Sequence, residues 1–179
     1  MQDRNRKEVR KGLIQVYTGD GKGKTTAALG LALRAIGQNM KVIIIQFVKG
    51  DKTCGEHLYA STHHDVKIVQ LNTQSCFSED KKQLKLAVGK TLDLAKETII
   101  NGNYDIVILD EISVAINLKL IDIGEVMKLL EIKPESMELI LTGRNAPDEI
   151  IRRADLVTEM IAVKHPMSRG IPARRGIEY

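Results

Sequence analysis

A short apolar run, Leu13-Ile14-Gln15-Val16-Tyr17, stops at Thr18-Gly19-Asp20-Gly21-Lys22-Gly23-Lys24-Thr25-Thr26, and Ala27, Ala28, Leu29, Leu31, Ala32, Leu33 and Ala35 follow at once. The first run reads as a strand, the last as a helix from Thr25 to Ile36 with Gly37 at its C-terminus. A strand that enters a helix through a glycine-rich turn of this kind has few uses. The glycines let backbone N–H groups converge on one point, and the new helix adds the positive end of its dipole. The juncture predicts a phosphate cradle. Lys24 would set an ammonium between β- and γ-phosphates, and the Thr25 hydroxyl would face Mg²⁺. Against the usual Gly-x-x-x-x-Gly-Lys spacing, Thr18 holds the first position, so this is a variant loop one residue tighter.

The rest of the chain alternates between two periods. Val42-Ile43-Ile44-Ile45-Gln46-Phe47 is continuous and β-branched, which predicts a strand buried on both faces. Val66 to Leu71, Ile106 to Leu109, Leu139 to Leu141 and Leu156 to Val163 read as further strands. Helices are expected over Glu79 to Ile100, stopped by Asn101-Gly102-Asn103, over Ile123 to Leu130 before Pro134, and over Pro147 to Arg153. Residues 48–65 and 72–78 read as long loops. Strands alternating with helices predict a three-layer α/β fold of the P-loop NTPase-like, RecA-like kind: a mostly parallel sheet with helices on both faces. With 179 residues, 43% of them hydrophobic, residues 12–179 can bury one core. Residues 1–11 are polar and basic and read as a flexible arm.

A phosphate loop predicts a partner acid at the carboxyl edge of a buried strand. Asp110 and Glu111 follow Ile106-Val107-Ile108-Leu109 directly, and either can reach Mg²⁺, with Mn²⁺ as a substitute. Thr142-Gly143-Arg144 ends the next strand at the same edge, where a guanidinium can neutralise phosphate. The net charge of +4 suits an anionic ligand. Aromatic residues make up 3% and Trp is absent, which argues against base stacking and hence against nucleic acid. Two cysteines, Cys54 and Cys76, in no Cys-x-x-Cys pair read as free thiols in a reducing compartment. No apolar run approaches a membrane span, and the N-terminus carries no secretory signal, so a cytoplasmic location is expected.

Taken alone, these parts describe a nucleotide-binding P-loop protein. The words around them are more specific. Tyr17 to Ala28, Gln46-Phe47-Val48-Lys49-Gly50, Gly55-Glu56, Leu109-Asp110-Glu111, Thr142-Gly143-Arg144, Val157-Thr158-Glu159-Met160, Lys164-His165-Pro166 and Gly176-Ile177-Glu178-Tyr179 resemble, in order, the P-loop-type ATP:corrinoid adenosyltransferases. The resemblance implies that ATP and a reduced corrinoid are substrates. The corrinoid Co(I) attacks the 5′ carbon of ATP, and inorganic triphosphate leaves. It further implies a homodimer, an external electron donor such as a flavodoxin or reduced flavin, and ATP bound in reverse, with its γ-phosphate where α usually lies. Carried over, Thr25 and Glu111 hold the metal, and Lys24 with Thr26 contacts the phosphates; the residues themselves add Gly19, Asp20, Gly21, Lys22 and Gly23 to the nucleotide cradle, Asp110 as the other candidate metal ligand, and Arg144 beside Lys24 and Glu111 for the reaction.

One stretch departs from the family. A Gly-Phe-Thr-Trp segment that packs two aromatics beneath the corrin ring corresponds here to Gln74-Ser75-Cys76-Phe77, so Phe77 alone keeps an aromatic. Two other activities suit the same residues: a P-loop ATPase or kinase acting at the γ-phosphate with Glu111 positioning water, and a non-catalytic ATP-dependent corrinoid-binding protein.

Overall fold

The structure is a computed structural model that describes residues 11–50, 53–72 and 80–179. The arm before Lys11 and the stretch holding Ser75, Cys76 and Phe77 lie outside the described residues.

Among the described residues six strands form one sheet: β1 (Ile14–Thr18), β2 (Val42–Gln46), β3 (Val66–Gln70), β4 (Ile106–Asp110), β5 (Glu138–Thr142) and β6 (Leu156–Glu159), in the order β3-β2-β4-β5-β1-β6. Every neighbouring pair is parallel, so the sheet is wholly rather than mostly parallel. Side chains alternate along each strand and feed two cores. Ile43, Ile45, Val107, Leu109, Leu139 and Leu141 point to one face. There they meet α3 (Lys81–Asn101), α4 (Ile112–Asn117), α5 (Ile123–Glu131) and α6 (Asp148–Arg153). Val42, Ile44, Ile106, Ile108 and Ile140 point to the other, beneath Ala28, Ala32 and Ala35 of α1 (Lys24–Ile36). Small alanines let α1 lie close to the sheet. Burying each of the branched side chains opposite them is worth about 1.5–3 kcal/mol.

Local chemistry sets the helix ends. Asp80 accepts from the Gln83 N–H at 3.0 Å to open α3, and Gly102, at φ 61°, closes it in the left-handed region. Asp122 caps α5 through the Gly124 N–H at 2.7 Å.

Two helices fall where loops or strand ends were expected. Residues 48–65 contain α2 (Gly55–Thr62), and α4 follows Glu111 directly. No residue of α2 is buried, so its sequence carries no apolar stripe to betray it. Helix α4 is one and a half turns long, too short for a helical period to separate its apolar residues from those of β4. The last strand ends at Glu159, short of Val163. Its only partner among the described residues, β1, becomes the glycine-rich loop at that level, and after Met160 N–H bonds Thr18 O at 2.9 Å the ladder along β1 ends.

Candidate functional site

The carboxyl ends of β1, β2, β4 and β5 open on a cavity of about 770 Å³ whose walls include the loop 20–26, Lys49, Glu111 and Arg144. Such a crevice is where a parallel sheet of this kind binds ligands.

The loop is shaped from two sides. Gly19 stands at φ 94°, and a β-carbon there would collide with the Met160 carbonyl oxygen. A β-carbon on Gly21 would come within 2.7 Å of the same oxygen, to which the Gly21 N–H already donates at 2.7 Å. This loop therefore needs glycine partly to pack against the exit of β6, and the Gly21 amide is engaged there rather than turned to the cavity. From within, Lys24 is 7% exposed and its Nζ donates to Gly19 O at 2.6 Å and Gly21 O at 2.8 Å. Burial pushes the Lys24 ammonium below its ordinary pKa, against the pull of Glu111.

Asp110 is the hub beneath the loop. It is fully buried, and four donors surround it. Thr25 Oγ1 at 2.9 Å and Thr142 Oγ1 at 2.7 Å donate to Oδ1, while Gln46 Nε2 at 3.2 Å and Lys49 Nζ at 3.0 Å reach Oδ2. Asp110 thus fixes the Thr25 hydroxyl at the mouth of the cavity. Glu111 has another character. Its backbone is left-handed at φ 62°, held by its N–H donating to Thr142 Oγ1 at 2.9 Å. Among the described residues no side chain hydrogen-bonds its carboxylate, which lines the cavity. Burial, and then the Asp110 charge, raise its pKa above the ordinary carboxylate value, while Lys49, Lys24 and Arg144 pull it down. A desolvated carboxylate that faces a cavity without a donor is suited to a cation.

The sequence-predicted residues meet here, with differences. Lys24, Thr25, Thr26, Glu111 and Arg144 line one cavity, and Asp110 lies behind them. Asp20 and Lys22 are exposed, and Lys22 Nζ is turned to the C-terminal segment, donating to Ile177 O and Glu178 Oε1, each at 2.9 Å. Lys49, Gln46 and Thr142 carry contacts no motif assigned to them. For Lys49 a signal existed: a lysine three residues past a fully buried strand, at the edge where ligands bind. His165 lines the cavity, and two other histidines have partners of their own. His57 Nε2 lies 2.7 Å from Gln46 Oε1, and His63 stacks on Tyr59 at 3.9 Å.

A chain with this glycine-rich loop, one buried carboxylate and the next lining a cavity has counterparts among known proteins. The solved structure of the flagellar accessory protein FlaH from Methanocaldococcus jannaschii matches over 84% of this chain and 71% of its own, with a TM-score of 0.55 and 14% identity, and so shares the fold. A corrinoid adenosyltransferase of a Sinorhizobium species is 39% identical over 94% of this chain and 81% of its own length. The corrinoid adenosyltransferase of Escherichia coli K12 is 34% identical over 94% and 86%, and the corrinoid adenosyltransferase CobA of Salmonella typhimurium LT2 33% identical over the same shares. The family model for ATP:corrinoid adenosyltransferase BtuR/CobO/CobP matches residues 10–179, which takes in the loop, Asp110, Glu111, Arg144 and the C-terminal segment at once: the chain belongs to the ATP:corrinoid adenosyltransferase family.

Proposed function

We propose that this enzyme transfers the 5′-deoxyadenosyl group of ATP to the Co(I) of a corrinoid by holding the triphosphate on residues 19–26, where Thr25 and Glu111 would hold Mg²⁺. The observation that carries this reading is the division of labour between the two adjacent carboxylates. Asp110 has its oxygens taken up by four donors, whereas Glu111 lines the cavity with none among the described residues. Thr25 and Glu111 would hold the metal, and Asp110 would act through Thr25. Among the described residues no three His, Cys, Asp or Glu side chains gather into a metal cluster. That suits Mg²⁺, which shares its coordination with phosphate and water rather than with a protein cage. When bound, the metal offsets negative charge on the triphosphate.

The chain's own work is to orient and to offset charge. As the cobalt–carbon bond forms, the 5′ carbon–oxygen bond breaks and its electron pair leaves with the triphosphate. Lys24 would leave the Gly19 and Gly21 carbonyls for phosphate oxygens, and Arg144 would meet the leaving group from the rim. Cobalt(I) is the nucleophile, so no side chain need serve as one. Four further readings belong here as proposals. Reduction comes from a flavodoxin or reduced flavin, Phe77 packs beneath the corrin ring, the protein works in the cytoplasm, and the working unit is a homodimer. No helix among the described residues is long and apolar enough to cross a membrane. A run of exposed apolar residues along and beyond β6, including Val157, Ile161, Val163 and Met167, supports self-association.

Anaerobic incubation with ATP, Mg²⁺ and chemically reduced cobalamin tests the reading. The adenosylcobalamin spectrum should grow in step with inorganic triphosphate, without ADP. ADP in place of triphosphate would assign the site to γ-phosphate chemistry instead.

A further inference from the structure

Lys49 has no role in the transfer as described, yet it is tied into the centre of the site. Its Nζ lies 3.0 Å from Asp110 Oδ2, 3.4 Å from Glu56 Oε1 and 3.5 Å from Thr25 Oγ1, with its side chain 26% exposed. Its backbone is anchored as well, because Gln70 Nε2 donates to Lys49 O at 2.7 Å. The Asp110 carboxylate is wholly buried, and an ionised carboxylate there needs a counter-charge close by. Lys49 is that charge, and it sits beside the hydroxyl that faces the metal. A divalent cation entering alone would meet this ammonium at short range in a site partly screened from water, where like charges repel strongly. A cation arriving with a triphosphate brings more negative charge than its own positive charge and meets a net attraction.

We propose that Lys49 is a positioning residue that keeps Thr25 and Asp110 assembled in the nucleotide-free protein and excludes a lone divalent cation, so that metal is retained only together with the triphosphate. The inference rests on the assignment of Thr25 and Glu111 to the metal.

Mn²⁺ is the probe, followed by electron paramagnetic resonance of the protein-bound ion with and without ATP. Lys49→Gln removes the charge but keeps a donor for Asp110, and Lys49→Arg keeps the charge. Wild type and Lys49→Arg should bind Mn²⁺ weakly alone and tightly with ATP. Lys49→Gln should bind Mn²⁺ without nucleotide at least about tenfold more tightly than wild type, and adding Glu111→Gln should remove that gain. Wild-type affinity in Lys49→Gln would overturn the proposal. So would a wild-type protein that holds Mn²⁺ as tightly without ATP as with it, a comparison that needs no variant to fold. If no protein-bound Mn²⁺ forms even with ATP, or if the gain survives Glu111→Gln, the metal assignment itself fails and this inference fails with it.

Discussion

At the scale of single residues, the site depends on groups whose surroundings work against them. Lys24 is buried with two carbonyls as its only hydrogen-bond partners among the described residues, and Glu111 combines a desolvated carboxylate with a left-handed backbone. Lys24→Ala should weaken ATP binding or turnover at least tenfold, since a charge-assisted contact of this kind is worth about 1.5–3 kcal/mol. Titration calorimetry with ATP and initial rates measure the two effects, and wild-type values in both would remove Lys24 from the site. Glu111 permits a sharper test. A left-handed backbone costs a residue with a β-carbon about 1 kcal/mol, a cost glycine escapes. Glu111→Gly should therefore melt no lower than wild type and above Glu111→Ala, while both lose activity. Thermal unfolding decides it, and an alanine variant more stable than the glycine one would mean that the backbone is not strained there.

At the scale of elements, what could be read from the sequence follows from how each segment is buried. Strands β2, β4 and β5 are buried at every position, so an unbroken apolar run marks each of them. Helix α3 shows its period over many turns, and Gly102 marks its end. Helices α2 and α4 were hidden for opposite reasons: one buries nothing, and the other is too short to show a period. The site divides in the same way. Lys24, Thr25, Asp110 and Glu111 belong to contiguous words whose chemistry explains their spacing. Contacts between distant segments leave no local trace. Thr142 meets Asp110 across 32 positions, and Glu178 meets Lys22 across 156. The C-terminal segment is the largest such omission. Glu178 accepts from the Arg174 N–H at 2.8 Å and from Lys22 Nζ. Arg174 first, and Lys22 next, hold its carboxyl down at about 2. For an acid held below its unfolded value, the docked form is favoured above the ordinary carboxylate range, and the advantage is lost as pH falls through that range toward 2. Carbon-13 NMR of the Glu178 carboxyl should show that low midpoint. A midpoint near the usual glutamate value would mean that the segment is undocked in solution.

At the scale of the molecule, the sheet is closed unevenly. Its middle strands are covered on both faces, but every residue of β6 is exposed, and Val163 beyond it is 87% exposed. On the reading of a homodimer, Val163→Glu should shift the protein from dimer to monomer without unfolding it, because the side chain touches little within its own chain. Light scattering with circular dichroism measures both properties, and a variant that stays dimeric would place the contact elsewhere. The same edge leads directly into the phosphate loop, since the Gly21 N–H is held by Met160 and Gly19 packs on that residue too. Reciprocity between binding events then applies. If pairing of two chains along this edge sharpens the grip on triphosphate, triphosphate must strengthen the pairing by the same factor. The concentration at which the two chains part would fall when ATP is present, and the enzyme would report its nucleotide supply in how it is assembled.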